Sequence, residues 1–295
     1  VYISYHGDSS NVTDAEYTVY HTGGKTKFLI NQTVGGKTWI YLGDFHFNKG
    51  IHPDSGRVEV SSVSAFSGKY ITTDAVRFGA GYGNVARNGS TSDMPKYIEG
   101  ARYWLQYAGM PDTLVYNLNR GRRDYNDDFQ SRAEYANYLY GAPYGPNRDK
   151  SNPGLKIPID LSLAFHTDAG ITKNDSIIGT LLIYSTLNGD STKFFPDGIS
   201  RMANRDFADI LQTQIVEDLR LSFDTAWTRR ELRDAEYSEA WRPNMPGALL
   251  ELLSHQNFAD MILFKDPAFR FTVGRAIYKG MLRFFSSQYN IDYTM

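Results

Sequence analysis

Short apolar runs separated by turn signals fill residues 1–79. The strand-like runs are residues 1–5, 18–20, 28–30, 39–42, 58–60 and 75–78. Glycine pairs at 23–24 and 35–36 and the DSG sequence at 54–56 lie between them. Because no helical period interrupts this pattern, we expect a small all-β, sandwich-like domain over residues 1–79.

The pattern changes after residue 79. Residues 93–109 carry an apolar stripe at helical spacing, with Pro95 near the first turn and Gly109 as a stop signal, and they predict a helix. Residues 110–153 are polar and aromatic and include the acidic stretch 124–128 (DYNDD). They predict a long loop, of the kind that is often functional.

Strands and helices alternate in the rest of the chain. Apolar residues occupy every odd position from 155 to 165, the period of a strand that ends at His166. The other predicted elements are strands at 177–184 and 247–253, an amphipathic helix at 200–224, and a final helix that begins at Asp266-Pro267. This alternation predicts an α/β domain over residues 80–295, with a mostly parallel sheet flanked by helices.

Composition narrows the function classes. The chain of 295 residues is 41% hydrophobic and 22% charged with a net charge of −2, which is typical of a folded globular protein. The basic residues form no cluster, so we expect no nucleic-acid partner. The absence of cysteine excludes disulfides and thiol catalysis. No stretch reaches the ~18 apolar residues of a membrane span. Since Val1 already lies in a strand-like run, we expect a longer precursor.

Two residues are candidates for chemistry. His166 follows the alternating strand, where side chains of α/β sheets often form sites, and it could bind a metal or simply cap the strand by a hydrogen bond. Glu251 interrupts the apolar run 248–253 (ALLELL), and a buried glutamate has a raised pKa suited to proton transfer. A buried salt bridge with an arginine is an equally good interpretation of Glu251.

Six segments of the β region follow one another in a characteristic order: residues 15–21 (AEYTVYH), 23–26 (GGKT), 31–33 (NQT), 35–36 (GG), 39–43 (WIYLG) and 74–78 (DAVRF). Their order closely resembles the golvesin C-terminal-like domain, which accompanies bacterial cell-surface and polysaccharide-active enzymes. The resemblance implies a glycan-associated β domain in which His21 is structural.

The second half of the chain resembles another family. Residues 162–169 (SLAFHTDA) look like the serine-x-histidine-x-asparagine-alanine segment of zinc-dependent N-acetylmuramoyl-L-alanine amidases, with one additional residue between serine and histidine. Residues 246–257 (PGALLELLSHQN) resemble the strand of the catalytic glutamate, and residues 269–280 (FRFTVGRAIYKG) the closing helix. The resemblance implies that His166 is a zinc ligand and Glu251 the general base and acid.

The resemblance also shows a departure from the family. Tyr82 stands in the glycine-rich turn at 79–84 where the family has its first histidine ligand, and Glu99 is the residue that could be taken for the second ligand. In a related bacterial family, often labelled xanthan lyase, the golvesin-like domain interrupts the amidase-like one, and two ligands lie upstream. We therefore expect the domain at 80–295 to be incomplete at its N-terminal side and this chain to lack a complete zinc site.

The function that these resemblances imply is zinc-dependent hydrolysis of the N-acetylmuramoyl-L-alanine bond in peptidoglycan. They also imply an extracytoplasmic location and peptidoglycan or another bacterial glycan as the partner. Two other classes stay open: a non-catalytic cell-surface glycan-binding protein, and a polysaccharide lyase of the xanthan type.

Overall fold

A computed structural model describes residues 1–293 except 37–38, 80–85, 87–88, 92–95, 143–150 and 190. The chain divides into two compact units, residues 1–158 and residues 159–295. The domain boundary expected at residues 79 and 80 stays a prediction, because the golvesin-like region and the helices after it belong to the same compact unit.

The first unit begins with two three-stranded antiparallel sheets. Their strands are β1 (Tyr2–Ser4), β2 (Ala15–His21), β3 (Gly24–Ile30), β4 (Ile40–Tyr41), β5 (Arg57–Val60) and β6 (Ala75–Arg77). The strand orders are β4-β1-β6 and β3-β2-β5, and all pairings are antiparallel. Ile3 of one sheet and Tyr17 and Val19 of the other share one buried apolar cluster. The predicted antiparallel β structure is therefore confirmed in its strands and in its common core.

Helices follow in the same unit: α1 (Lys96–Glu99), α2 (Ala101–Tyr107), a π-helix at Asp112–Tyr116 and α3 (Asp124–Tyr140). The predicted helix at 93–109 is divided at Gly100, and its first three residues lie outside the described part of the chain. The prediction of a long loop at 110–153 was wrong over residues 124–140, which form α3. The buried side of α3 contains Asp127, Asp128 and Glu134, so it lacks the apolar stripe from which helices are predicted.

The second unit is an α/β layer structure. Its elements are β7 (Ser162–Asp168), β8 (Thr180–Tyr184), α4 (Met202–Ser222), β9 (Arg229–Asp234), α5 (Ser238–Trp241), β10 (Gly247–Ser254), α6 (Phe258–Lys265) and α7 (Pro267–Tyr289). The sheet order is β7-β10-β8-β9. Two of the three pairings are parallel, as expected for a mostly parallel sheet, but the central pairing of β10 with β8 is antiparallel, so the sheet is mixed.

The two faces of this sheet bury different helices. Leu250 of β10 and Leu182 of β8 pack with Phe207 and Leu211 of α4 in the main core, to which α7 also contributes. On the opposite face, Ala240 of α5 packs against a smaller apolar cluster. The expectation of helices on both faces is confirmed, although α5 has only four residues.

Element ends agree less closely with the sequence pattern. Residues 155–161 alternate in polarity but are not a strand, and β7 begins only at Ser162. The edge strand β9 was not predicted, because its sequence RRELRD is mostly charged. The predicted start of the last helix is confirmed, since Asp266 accepts a hydrogen bond from the Ala268 amide at 2.8 Å and Pro267 occupies the first turn.

Candidate active site

His166 and Glu251 are direct neighbours on the parallel strands β7 and β10. The register pairs Glu251 with His166, and neighbouring strands lie about 4.8 Å apart. Residues paired in register point to the same face of a sheet. Ala164 and Leu249, two residues earlier on each strand, belong to the cluster that α5 covers, so the pair lies on the α5 face. The two residues therefore lie side by side on parallel strands; their roles stay proposals.

A backbone irregularity follows Glu251 directly. The pairing of β10 with β7 shifts between Glu251 and Ser254, and Leu253 has a φ of 60° in this interval. A bulky residue in the left-handed region is strained, and such strain is concentrated at functional sites. The shift places Ser254 opposite Asp168, and the Ser254 hydroxyl donates a hydrogen bond to the Gly170 carbonyl at 2.6 Å.

The environment of Glu251 favours its neutral form. Burial raises the pKa of Glu251, and the nearby carboxylate of Asp168 raises it further, while His166 and Arg230 act in the opposite direction. The Oε2 atom of Glu251 is buried and has no hydrogen-bond partner in the described part of the protein. A raised pKa brings a carboxyl group closer to the range in which it can both accept and release a proton during a reaction.

Glu239 is a member of the site that the sequence did not reveal. It lies in α5 and is 9% exposed, and its Oε1 atom is 2.9 Å from Nε2 of His166. The two residues are 73 positions apart in the chain. The segment around Glu239 has no apolar period, so no sequence signal separates it from an exposed glutamate.

An arginine–aspartate pair completes the charged group. Nη1 of Arg230 is 2.6 Å from Oδ2 of Asp168, although the two residues lie on β9 and β7, the opposite edges of the sheet. The two side chains therefore meet although two strands of the sheet separate their own strands. A register shift in the pairing of β8 with β9 permits this, because Arg229 turns towards Asp209 of α4 while Arg230 turns towards the site. The two adjacent arginines, Arg229 and Arg230, were the only sequence signal for this part of the site. The register shift that turns Arg230 towards the site could not be predicted.

The residues described do not form a complete metal site. Within the described ranges, no three His, Asp or Glu side chains are grouped so that they could hold a metal ion. Glu99, the residue that could be taken for the second zinc ligand, belongs to α1 in the first unit. The histidine that follows β10, His255, has its Nδ1 atom 3.1 Å from the hydroxyl of Thr167. Tyr82 falls outside the described residues. Zinc therefore does not fit the donor set at hand, and the expected incompleteness of the zinc site stays a prediction.

Within the part of the chain that the structure describes, no helix is long and apolar enough to cross a membrane.

Comparison with protein families confirms the golvesin part of the resemblance. Residues 1–80 match the model of the golvesin C-terminal domain. This match covers the β region and ends close to the boundary expected at residue 79. The curated proteins contain no significant match to the chain.

N-acetylmuramoyl-L-alanine amidases are among the solved structures to which the chain is similar. Ami1 from Mycobacterium smegmatis has a TM-score of 0.36 at 20% identity, over 54% of this chain and 61% of that one. An amidase from Clostridium difficile 630 has a TM-score of 0.36 at 16% identity, over 54% and 66%. The CwlD amidase from Clostridioides difficile, solved in complex with the GerS lipoprotein, has a TM-score of 0.37 at 19% identity, over 59% and 71%.

The matched region spans less than two thirds of the first two amidases. TM-scores below 0.5 do not establish a common fold.

Proposed function

We propose that the chain is part of an amidase-like hydrolase that acts on peptidoglycan, with Glu251 as the general base and acid. The observation that carries this proposal is the position of Glu251: a carboxyl group with a raised pKa, in register with His166 on the neighbouring parallel strand. Both residues are those that the amidase resemblance implies, and they come from segments 85 positions apart (251 − 166).

The chemistry assigned to Glu251 is proton transfer on both sides of amide cleavage. Its carboxylate removes a proton from the attacking water, and the resulting carboxylic acid delivers the proton to the departing amine. The raised pKa suits the second step, because it makes the protonated carboxyl group easier to form. Arg230 places a positive charge near this carboxyl group, and we assign to it the stabilisation of the negative charge that develops on the substrate's carbonyl oxygen. In the resemblance, His166 would hold zinc, but the described donor set does not complete a zinc site and no step is assigned to a metal.

The β region would associate the hydrolase with its polymeric substrate. Its match to the golvesin C-terminal domain supports a role in glycan association, and a peptidoglycan substrate implies an extracytoplasmic location. Peptidoglycan or another bacterial glycan is then the partner of the whole chain.

A second candidate is a non-catalytic cell-surface glycan-binding protein. The observation that favours it is the contact of His166 with Glu239 at 2.9 Å, together with the lack of a three-donor metal group among the described residues. An amidase-like fold without a metal would retain binding and lose hydrolysis.

The experiment compares the wild-type chain with Glu251→Gln on purified peptidoglycan, with and without added zinc, and measures released stem peptides. We expect wild-type hydrolysis and a loss of about 100-fold or more in Glu251→Gln, which is the size of a general acid–base contribution. Glu231→Gln is the matched control, because Glu231 is exposed on the same sheet and pairs with Arg233. Sedimentation of wild type with peptidoglycan and no release of peptides under either condition would contradict hydrolysis and support the second candidate.

A further inference from the structure

The contact between His166 and Glu239 joins two partly or fully buried groups. Oε1 of Glu239 lies 2.9 Å from Nε2 of His166, and the side chains are 11% and 26% exposed, respectively. A carboxylate oxygen in the ionised form is only an acceptor of hydrogen bonds. With Glu239 in that form, the hydrogen atom of this bond would reside on Nε2 of His166.

The short helix α5 holds Glu239 in place. Ala240, the next residue, is 1% exposed and packs against Leu181, Ile183 and Leu249 of the sheet. A four-residue helix has little stability of its own, so this packing determines where its side chains point. Glu239 thereby reaches the sheet face on which His166 lies.

A buried arginine fixes the other end of α5. Arg201 is 0% exposed, and its Nη1 atom donates a hydrogen bond to the Trp241 carbonyl at 3.0 Å. Its Nη2 atom lies 3.4 Å from the Pro243 carbonyl. The Trp241 ring rests against Gly189, where an added Cβ would come within 2.7 Å of the ring. The buried guanidinium group of Arg201 therefore holds the backbone that follows Glu239 in place.

We infer that Glu239 is a positioning residue, which fixes the ring of His166 with the hydrogen atom on Nε2. The inference rests on the proposed function for its importance in catalysis, but the hydrogen bond itself is independent of that function. A carboxylate that binds one nitrogen of a histidine sets the tautomer and the ring orientation. While Glu239 occupies Nε2, that nitrogen cannot also ligate a metal. Metal binding at Nε2 would require Glu239 to move.

Nuclear magnetic resonance of the imidazole nitrogens tests the assignment directly. The chain contains six histidines, and His166→Gln identifies the His166 signals in a sample labelled with ¹⁵N-histidine. We expect a pyrrole-type Nε2 with a proton protected from solvent exchange in the wild type. Glu239→Ala should abolish this protection, whereas Glu239→Gln should retain part of it, since the amide oxygen can still accept the hydrogen bond.

Internal references distinguish positioning from unfolding. His255 contacts Thr167 and not Glu239, so its signals should be unchanged in all variants if the sheet remains folded. Glu236→Ala is the matched control, because Glu236 is exposed shortly before α5. A pyridine-type Nε2 in the wild type, or a protected Nε2 proton that survives in Glu239→Ala, would overturn the inference.

The same variants connect the hydrogen bond to the reaction. If peptidoglycan hydrolysis is observed, Glu239→Ala should lower kcat by up to about 100-fold with KM nearly unchanged, because the ring of His166, no longer fixed, lies in register beside the general base Glu251. Partial recovery in Glu239→Gln should follow the recovery of the protected proton. If the wild type shows no hydrolysis, the proposed function fails, while the resonance result still decides the role of Glu239.

Discussion

At the residue scale, Glu251 illustrates a conflict between stability and function. Its Oε2 atom is buried without a hydrogen-bond partner in the described structure, and burial raises the pKa of its carboxyl group. Raising the pKa of an acid means that its ionised form destabilises the folded state. Residues kept in such an environment are candidates for catalysis.

We therefore expect opposite effects of Glu251→Gln on stability and on hydrolysis. The amide carries no charge, so the variant should be as stable as the wild type or more stable at pH 7, while hydrolysis is lost. Thermal unfolding of both proteins, with Glu231→Gln as the control, measures this. A fall in melting temperature in Glu251→Gln would mean that the carboxylate makes a stabilising contact.

A second residue, Asp14, has the opposite electrostatic environment. Hydrogen bonds from the Ser64 hydroxyl at 2.5 Å and from the Ala65 amide at 2.8 Å lower the pKa of Asp14 below its usual 3.8. A lowered carboxyl pKa stabilises the fold above the unfolded pKa, and this stabilisation is lost as the pH falls through the folded pKa.

Asp14→Asn should accordingly destabilise the protein at pH 7, and the difference from wild type should be smaller at pH 2. Denaturant titrations at the two pH values measure it, with the exposed Asp54→Asn as the control. An equal difference at pH 7 and pH 2 would show that the effect is not electrostatic.

The sequence indicated the site only where a residue contradicts its local pattern. Glu251 breaks an apolar strand and His166 follows an alternating one, so both could be selected without a structure. Glu239 and Arg230 lie in charged segments where their residue types are ordinary. Their positions depend on the packing of α5 and on the register shift in β9, and neither feature has a local sequence signal.

At the element scale, apolar periodicity predicted the helices whose buried face is apolar. Helix α4 was expected at 200–224 and is found at Met202–Ser222, because its buried face is apolar. Helix α3 was missed because carboxylates form much of its buried side: Asp127 accepts hydrogen bonds from Asn119, and Oδ1 of Asp128 accepts one from the Arg102 amide. Polar contacts between elements leave no periodic pattern in the sequence.

Helices α4 and α7 cross at Gly280, and the effect of a larger residue there can be compared with the same change at another glycine of α7. A Cβ atom at Gly280 of α7 would lie 2.8 Å from Cδ1 and 3.1 Å from Cα of Leu211 in α4. The second distance involves the backbone of α4, so α4 and α7 must move apart by a few tenths of an ångström. Gly274, also in α7, has no atom within 4 Å of an added Cβ.

Gly280→Ala should destabilise the protein by about 1–3 kcal/mol, the range for overpacking a core, despite the better helix propensity of alanine. Gly274→Ala should stabilise it by up to about 1 kcal/mol, because only the propensity changes. Chemical denaturation measures both. Stabilisation by Gly280→Ala would show that the two helices can move apart at little cost.

At the scale of the whole molecule, the apolar clusters divide with the two compact units. The cluster around Tyr17 and the cluster around Leu105 and Val115 belong to residues 1–158. The main core around Phe207 and the smaller cluster around Leu249 belong to residues 159–295. The sequence placed a boundary near residue 79 because the strand pattern ends there, whereas compactness depends on contacts that the pattern does not contain.

Separate cores predict separate unfolding transitions in the intact chain. A cooperative unit unfolds as a whole when its core is disrupted, and a change in one core affects the transition of that unit. We expect calorimetry of the 295-residue protein to show two transitions. Gly280→Ala should lower the temperature of one, and Asp14→Asn at pH 7 should lower the temperature of the other, since the two residues belong to different units. If both substitutions shift a single transition, the two units unfold together, and residues 1–158 and 159–295 are compact regions but not separate folding units. If each shifts its own transition, residues 159–295, which contain His166, Glu239 and Glu251, form a folding unit that carries the candidate active site.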